Sequence, residues 1–302
     1  MATKFTFPIL TAEQQYDNLL SKGLTMDQEK EKIITFLTHH SYFKIMLYFR
    51  PYRNADAEGN RKFNEGTNRS RIIQDFDFDH NLRVLLFSYT IYIENSFKNI
   101  FCQHTCQKLG NTRWEDKNNF NDPEALAEGN APKVFIESIL PILTGILSGF
   151  SKYEHVQKYI DKHQDPKNPP FWNMIEVFTF GQVVKMYRYL ADIQIQKDVA
   201  KQYNLDERKM WSWMKTLVDV RNICCHHNKL FDKRNWKIAR VREIEPILDQ
   251  KYDTLYHVCC IMHNLLGKIK AENGFINDIE SLLERYPNVD TTFPNNRKSL
   301  WK

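Results

Sequence analysis

Glycine is scarce in this chain: ten residues in 302. No Walker A stretch, no Gly-rich dinucleotide loop and no G-x-S-x-G elbow can be found. Nucleotide-hydrolase, nicotinamide-dependent and serine-hydrolase readings are set aside on that ground. Long hydrophobic runs are missing too. Nothing approaches the roughly 18 apolar residues that a membrane span requires, and Met1 to Leu10 carry one lysine and no apolar core of a signal peptide. Strand-like alternation between tight turns is not evident, and there is no internal repeat or low-complexity segment. Cysteine is present but badly placed for disulfides. Of Cys102, Cys106, Cys224, Cys225, Cys259 and Cys260, two sets are sequence neighbours. A reduced, cytoplasmic protein is expected, with most thiols acting as small core residues and no cofactor.

What is present is an ordinary globular composition. Hydrophobic residues make up 42% and charged residues 26%, and a 13% share of aromatics argues against disorder over most of the length. The net charge of +5 permits an anionic partner without demanding one. The periodicity is helical. The expected elements are helices over Thr11 to Lys22, opened by a capping box at Thr11-Ala12-Glu13-Gln14, and from Thr25 or Asp27 to His39. Asp79 to Leu109 places Leu82, Leu86, Tyr89, Ile93, Phe97 and Ile100 on one stripe and stops at Gly110. Further helical patterns cover 133–150, 153–162, 172–190, with Gly181 marking a cap or a close helix contact, and 191–203. The 54–68 and 111–132 stretches read as polar loops. The expected fold is all-α, one composite helical domain over 1–302 with its core mainly in 75–110 and 170–270.

The last strong helix starts at Asn204-Leu205-Asp206-Glu207, with Asn204 as its cap, and runs to about His226. At 100° per residue, Trp213, Leu217, Val220 and Cys224 form the core stripe, and Lys215, Asp219, Asn222 and His226 the opposite face. Arg221 lies between the two. His227 falls back toward the core and reads as a structural hydrogen-bonding residue, unless the helix ends before it. Arg221 is the one arginine followed at five to seven residues by a histidine, here both His226 and His227. By composition about one such match is expected by chance, so the spacing alone decides nothing. The chemistry does fit RNA. The ribose 2′-hydroxyl is its own nucleophile, an imidazole can move the proton, and a guanidinium can hold the pentavalent phosphate. Asn222, one turn before His226, can orient either group. No metal is needed for this scheme.

The stretch Val220-Arg-Asn-Ile-Cys-Cys-His-His-Asn-Lys-Leu230 resembles the signature of the Abi-like abortive-infection proteins of the AbiD/AbiF type. Other matches come in the same order. They are Gly23 to Gln28, Ser41-Tyr-Phe-Lys44, Phe78-Asp-His-Asn-Leu-Arg83 with Ile93-Glu94, Pro170-Phe-Trp172 with Phe180-Gly181, and Phe293-Pro294 with Trp301. That family is placed among HEPN-fold proteins, so the resemblance implies a HEPN-like helical bundle with added helices and a long polar loop. It also implies a metal-independent endoribonuclease leaving a 2′,3′-cyclic phosphate, completed by a homodimer, in phage defence or as a toxin restrained by a protein or a noncoding RNA. Carried over residue by residue, Arg221 and His226 are catalytic and Asn222 supports them. His227, Asp219, Glu94 and Arg83 are further supporting candidates, with Glu94 equally readable as one end of a solvated charged pair. Two positions depart from the family pattern. Cys225 replaces a small residue, and Lys229 replaces an arginine, which keeps the charge but loses the planar fork.

Two other readings stand beside this one. Cys224-Cys225-His226-His227 looks ligand-rich, but adjacent ligands are not the separated spacings of zinc modules. The basic segment after the motif, with Lys229, Lys233, Arg234 and Trp236, suits phosphate contact plus base stacking. It fits equally a solvated loop and helix, or an RNA-binding protein of the same fold that does not cut.

Overall fold

The computed structural model describes residues 9–55, 61–110, 116–121, 153–163, 169–231, 233, 236–238 and 254–289. Among them are eleven α-helices and a single pair of three-residue strands, so the fold is all-α. The chain divides into two compact units: Met1–Leu85 with Ile223–Asp232 and Asn277–Thr292, and Leu86–Asn222 with Lys233–Ile276 and Phe293–Lys302. The helix expected over 133–150 and the C-terminal match at Phe293, Pro294 and Trp301 lie outside the described residues.

The first unit opens with α1 (Ala12–Ser21), whose Thr11 and Gln14 form the expected capping box. Gly23 then takes a left-handed conformation (φ +86°), as the turn that stops α1 requires. The second helix begins later than the sequence suggests. It is α2 (Lys30–His39), because Asp27 is used elsewhere: its carboxylate accepts from the Ser70 amide at 3.3 Å, at the start of another helix. After α3 (Tyr42–Phe49), the stretch read as a polar loop contains an antiparallel pair, β1 (Arg53–Ala55) and β2 (Arg61–Phe63).

The long helix α4 (Arg69–Leu109) starts ten residues before the expected position and ends, as expected, at Gly110 (φ +83°). Asn68 accepts from the Arg71 amide at 2.9 Å and so caps it. Up to Leu85 the helix belongs to the first unit, where Ile72, Phe78 and Leu82 are buried with Ile45, Tyr48, Phe49, Leu230 and Phe231.

The second unit takes the rest of α4, then α5 (Glu154–Lys162), α6 (Phe171–Met174), α7 (Phe180–Tyr189) and α8 (Ile193–Lys201). The pattern read as one helix over 172–190 is two, because Thr179 and Gln182 form a capping box that starts α7 afresh. Phe97, Phe101, Phe171 and Tyr187 interlock edge to face, with ring centroids 5.5 to 6.0 Å apart for the Phe97–Tyr187, Phe101–Phe171 and Phe101–Tyr187 pairs. Such pairs add about 0.5–1.5 kcal/mol each beyond the burial of their area.

Helix α9 (Glu207–Cys225) is capped by Asp206, whose carboxylate accepts from the Lys209 amide at 2.8 Å. Asn204, expected as that cap, instead sits left-handed (φ +56°) beyond the end of α8. Helix α10 (Leu255–Ile269) is buried at ten of its fifteen positions, including Cys259 and Cys260, and α11 (Phe275–Arg285) comes after it. No described helix is long and apolar enough to cross a membrane. None of the six cysteines is in a disulfide; Cys102, Cys224, Cys259 and Cys260 are buried.

Candidate functional site

The expected faces of α9 are the observed ones. Trp213, Leu217, Val220 and Cys224 are buried, whereas Lys215, Asp219 and Asn222 are exposed and Arg221 is half-buried. Arg221 places a guanidinium nitrogen 3.4 Å from the Asn222 side-chain oxygen. The Cys224 thiol is pushed up to about 12, chiefly by burial, which suits a packing residue rather than a ligand or nucleophile.

The helix stops one residue sooner than the projection assumes. Its last residue is Cys225, and His227 adopts a left-handed backbone (φ +55°). The His227 amide donates to the Cys224 carbonyl (3.3 Å) and the Asn228 amide to the Ile223 carbonyl (3.1 Å). This is the paired closure usually built around glycine. Both His226 and His227 are therefore exposed: the helix ends before His227, the condition under which it does not turn to the core. The buried Cys224 and the exposed histidines do not converge. No three described His, Cys, Asp or Glu residues are grouped so as to hold a metal ion.

The segment beyond the helix end is fastened from several directions within the first unit. Asp79, fully buried, accepts from the amides of Leu230 (3.0 Å) and Phe231 (2.7 Å) on one oxygen and from the Tyr48 hydroxyl (2.5 Å) on the other. Arg83 lies 3.6 Å from the same carboxylate and donates to the Asn228 carbonyl at 3.2 Å. Lys44 donates to the His226 carbonyl (3.1 Å), and Lys229 to the Leu47 carbonyl (3.3 Å). Burial pushes the Asp79 carboxyl above its ordinary range, while the Tyr48 hydroxyl, Arg83 and the two amides favour the carboxylate.

Asp79 and Lys44 were not singled out from the sequence, although both fall within stretches that carry the resemblance. Their roles become visible only once the chain returns to them.

The remaining expected residues scatter. Glu94 is paired with Lys98 at 2.9 Å, both nearly buried, so its partner is the lysine one turn on rather than Arg83. Asp219 lines a cavity of about 400 Å3 in the second unit, where Arg188 and Lys215 both lie over the Trp211 ring at 4.7 and 5.1 Å. Lys233 is exposed over the face of Trp236, and Trp236 is only 5% exposed, its indole donating to the Lys233 carbonyl. That ring is packed rather than presented for stacking. Arg234 lies outside the described residues.

The family described as Abi-like protein matches residues 35–232, about two thirds of the chain, with the whole of α3, α4 and α9 inside the match. The chain belongs to the Abi-like family. No curated protein and no solved structure matches it. Membership of the Abi-like family connects the chain to abortive infection, the defence that halts a phage at the expense of the infected cell.

Proposed function

We propose that this Abi-like protein is an endoribonuclease of the HEPN type, acting in the cytoplasm without a metal cofactor. One observation carries the reading. The exposed His226 and His227 stand at the end of the helix that bears Arg221 and Asn222, and the chain just beyond is held by Lys44, Asp79 and Arg83. Held main chain beside exposed polar side chains is what a positioning site needs.

In this reading the 2′-oxygen attacks the adjacent phosphorus and the P–O5′ bond breaks. The products are a 2′,3′-cyclic phosphate and a 5′-hydroxyl. His226 takes the 2′-hydroxyl proton or delivers one to the leaving oxygen, Arg221 stabilises charge on the phosphorane, and Asn222 orients them. A second copy of the chain would bring a second motif to the same phosphate. Growth arrest, restrained by a protein or a noncoding RNA, is the biological setting that this activity would serve.

Cleavage of RNA by purified protein in EDTA is the test, with His226→Ala and Arg221→Ala as comparisons. The expected result is EDTA-resistant cleavage with cyclic-phosphate ends, reduced by about 10²–10⁴-fold in His226→Ala. Wild type that binds RNA and leaves it intact would replace the nuclease with an RNA-binding protein of the same fold.

A further inference from the structure

Helices α7 and α9 share the walls of the 400 Å3 cavity in the second unit. Gly181, Lys185 and Arg188 line it from α7, and Trp211, Lys215 and Asp219 from α9. Spacings of three and four keep each set on one face of its helix.

Three of these residues are cations, and Asp219 is the only carboxylate among the described lining residues. None of Lys185, Arg188 and Lys215 forms an ion pair with a described residue. Even if Asp219 fully neutralised one of them, two would be left. An aromatic ring holds two of the three. The Arg188 guanidinium lies over the Trp211 ring at 4.7 Å and the Lys215 ammonium at 5.1 Å. A π face orients a cation without supplying a counter-charge. Lys185 and Lys215 are exposed, and Arg188 and Trp211 are half-buried. A concave wall dominated by one sign of charge concentrates the opposite sign, and guanidinium beside ammonium suits phosphate oxygens.

The place of the cavity narrows the ligand. Lys215, Asp219 and Asn222 follow one another along the exposed face of α9. Lys215 and Asn222 are two helical turns apart, about 10 Å along the axis. A polyanion lying against Lys215 and continuing along that face comes to Asn222 and Arg221. The volume is in the range of small-molecule sites, about 300–1,000 Å3, and admits part of one strand rather than a duplex. Asp219 separates two kinds of polyanion. An acidic protein segment would set its carboxylates against it, whereas the amino groups of nucleobases can donate to it.

We infer that this cavity binds the phosphate backbone of a single RNA strand through Lys185, Arg188 and Lys215 and leads it along α9 toward Arg221 and Asn222. The inference rests on the RNA reading above and adds to it a binding surface apart from the reacting groups.

The test is fluorescence anisotropy on the full chain, with a labelled single-stranded oligonucleotide bearing 2′-O-methyl groups at every ribose, so that no nucleophile remains. Lys185→Glu together with Lys215→Glu alters the cavity. Lys201→Glu with Lys268→Glu is a control of equal net charge, at exposed positions on α8 and α10 that do not line it. The cavity variant is expected to bind about tenfold or more less tightly near 0.1 M salt, with the slope of log affinity against log salt shallower by about 0.7 for each lysine. The control is expected to lose less than about threefold. Trp211→Leu gives a second reading. It leaves net charge unchanged and is expected to weaken binding about two- to fivefold by releasing Arg188 and Lys215, and Trp211→Phe, which keeps a ring beneath them, to restore most of that loss.

Wild-type affinity in the cavity variant overturns the inference, as do equal losses in cavity and control variants, or a wild type that does not bind the oligonucleotide. Displacement of the oligonucleotide by an oligoglutamate of the same charge at the same concentration also overturns it and assigns the cavity to an acidic protein segment. Cavity-dependent binding by a wild type that never cuts RNA would keep the inference and remove the nuclease. Cleavage that requires His226, with unchanged binding in the cavity variant, would do the reverse.

Discussion

Asp79 shows how one side chain can define a stretch of irregular backbone. Its two oxygens satisfy the amides of Leu230 and Phe231 and the Tyr48 hydroxyl, and Arg83 stands beside them. Replacing Asp79 by Ala strands two buried amides and a buried guanidinium together. The expected cost is about 3–5 kcal/mol, read as a lower urea midpoint, with Asp79→Asn in between because an amide can still accept from one N–H. An Asp79→Ala protein as stable as wild type would show that the loop is held some other way.

His227 poses the opposite case. A left-handed backbone costs an ordinary L-residue about 1–2 kcal/mol, and glycine nothing. His227→Gly is expected to hold or raise the melting temperature and His227→Val to lower it. A loss in the glycine variant would mean that the imbalance in backbone strain is outweighed by contacts of the ring.

Among the elements, α7 and α9 approach closely at Gly181. A β-carbon on Gly181 would lie 3.3 Å from a Val218 methyl, so the glycine admits the second helix. Alanine gains up to about 1 kcal/mol of helix propensity over glycine but loses part of it to that contact. Gly181→Ala is therefore expected to be near neutral in denaturant titrations and clearly more favourable in a Val218→Ala background. Additive effects of the two substitutions would disprove the contact.

Legibility divided along the same line between local and distant causes. The core stripe of α9, the capping box of α1 and the stop at Gly110 could be read because each depends on neighbours within about one turn, whereas Gly181 showed only a choice between a cap and a close helix contact, which Val218 on another helix decides. The first turns of α4 could not be read. Arg69, Arg71, Asp75 and Asp77 obscure the apolar stripe there, and what settles these turns is tertiary. Arg69 donates to Gln28 at 2.8 Å and lies over the Phe36 ring at 5.1 Å, and Tyr52 donates to Asp75 at 2.7 Å. The way α9 closes was hidden for a related reason: it uses histidine where the sequence rule looks for glycine. Of the candidate site, Arg221, Asn222 and His226 were visible, but Lys44 and Asp79 act on the motif from more than a hundred residues away.

At the scale of the whole molecule, stability should depend on pH. Burial lowers the pKa of His263 on α10. As pH falls, the unfolded chain takes up this proton first, so the neutral imidazole's contribution is complete above about pH 6.5 and is lost as pH drops through the folded value. The melting temperature is expected to fall between pH 7 and 5, and His263→Phe to flatten part of that fall. An identical slope in the variant would assign the acid sensitivity to other groups.

The ties on 226–231 also bear on how such a motif can be moved between proteins. Lys44 grips the His226 carbonyl, Arg83 that of Asn228, and Asp79 the amides of Leu230 and Phe231. The six-residue segment therefore owes its posture to two helices that precede it by a great length of chain. Copying 220–231 onto a foreign helix would transplant the letters and leave the grammar behind. The smallest portable unit includes α3 and the 79–83 turn of α4.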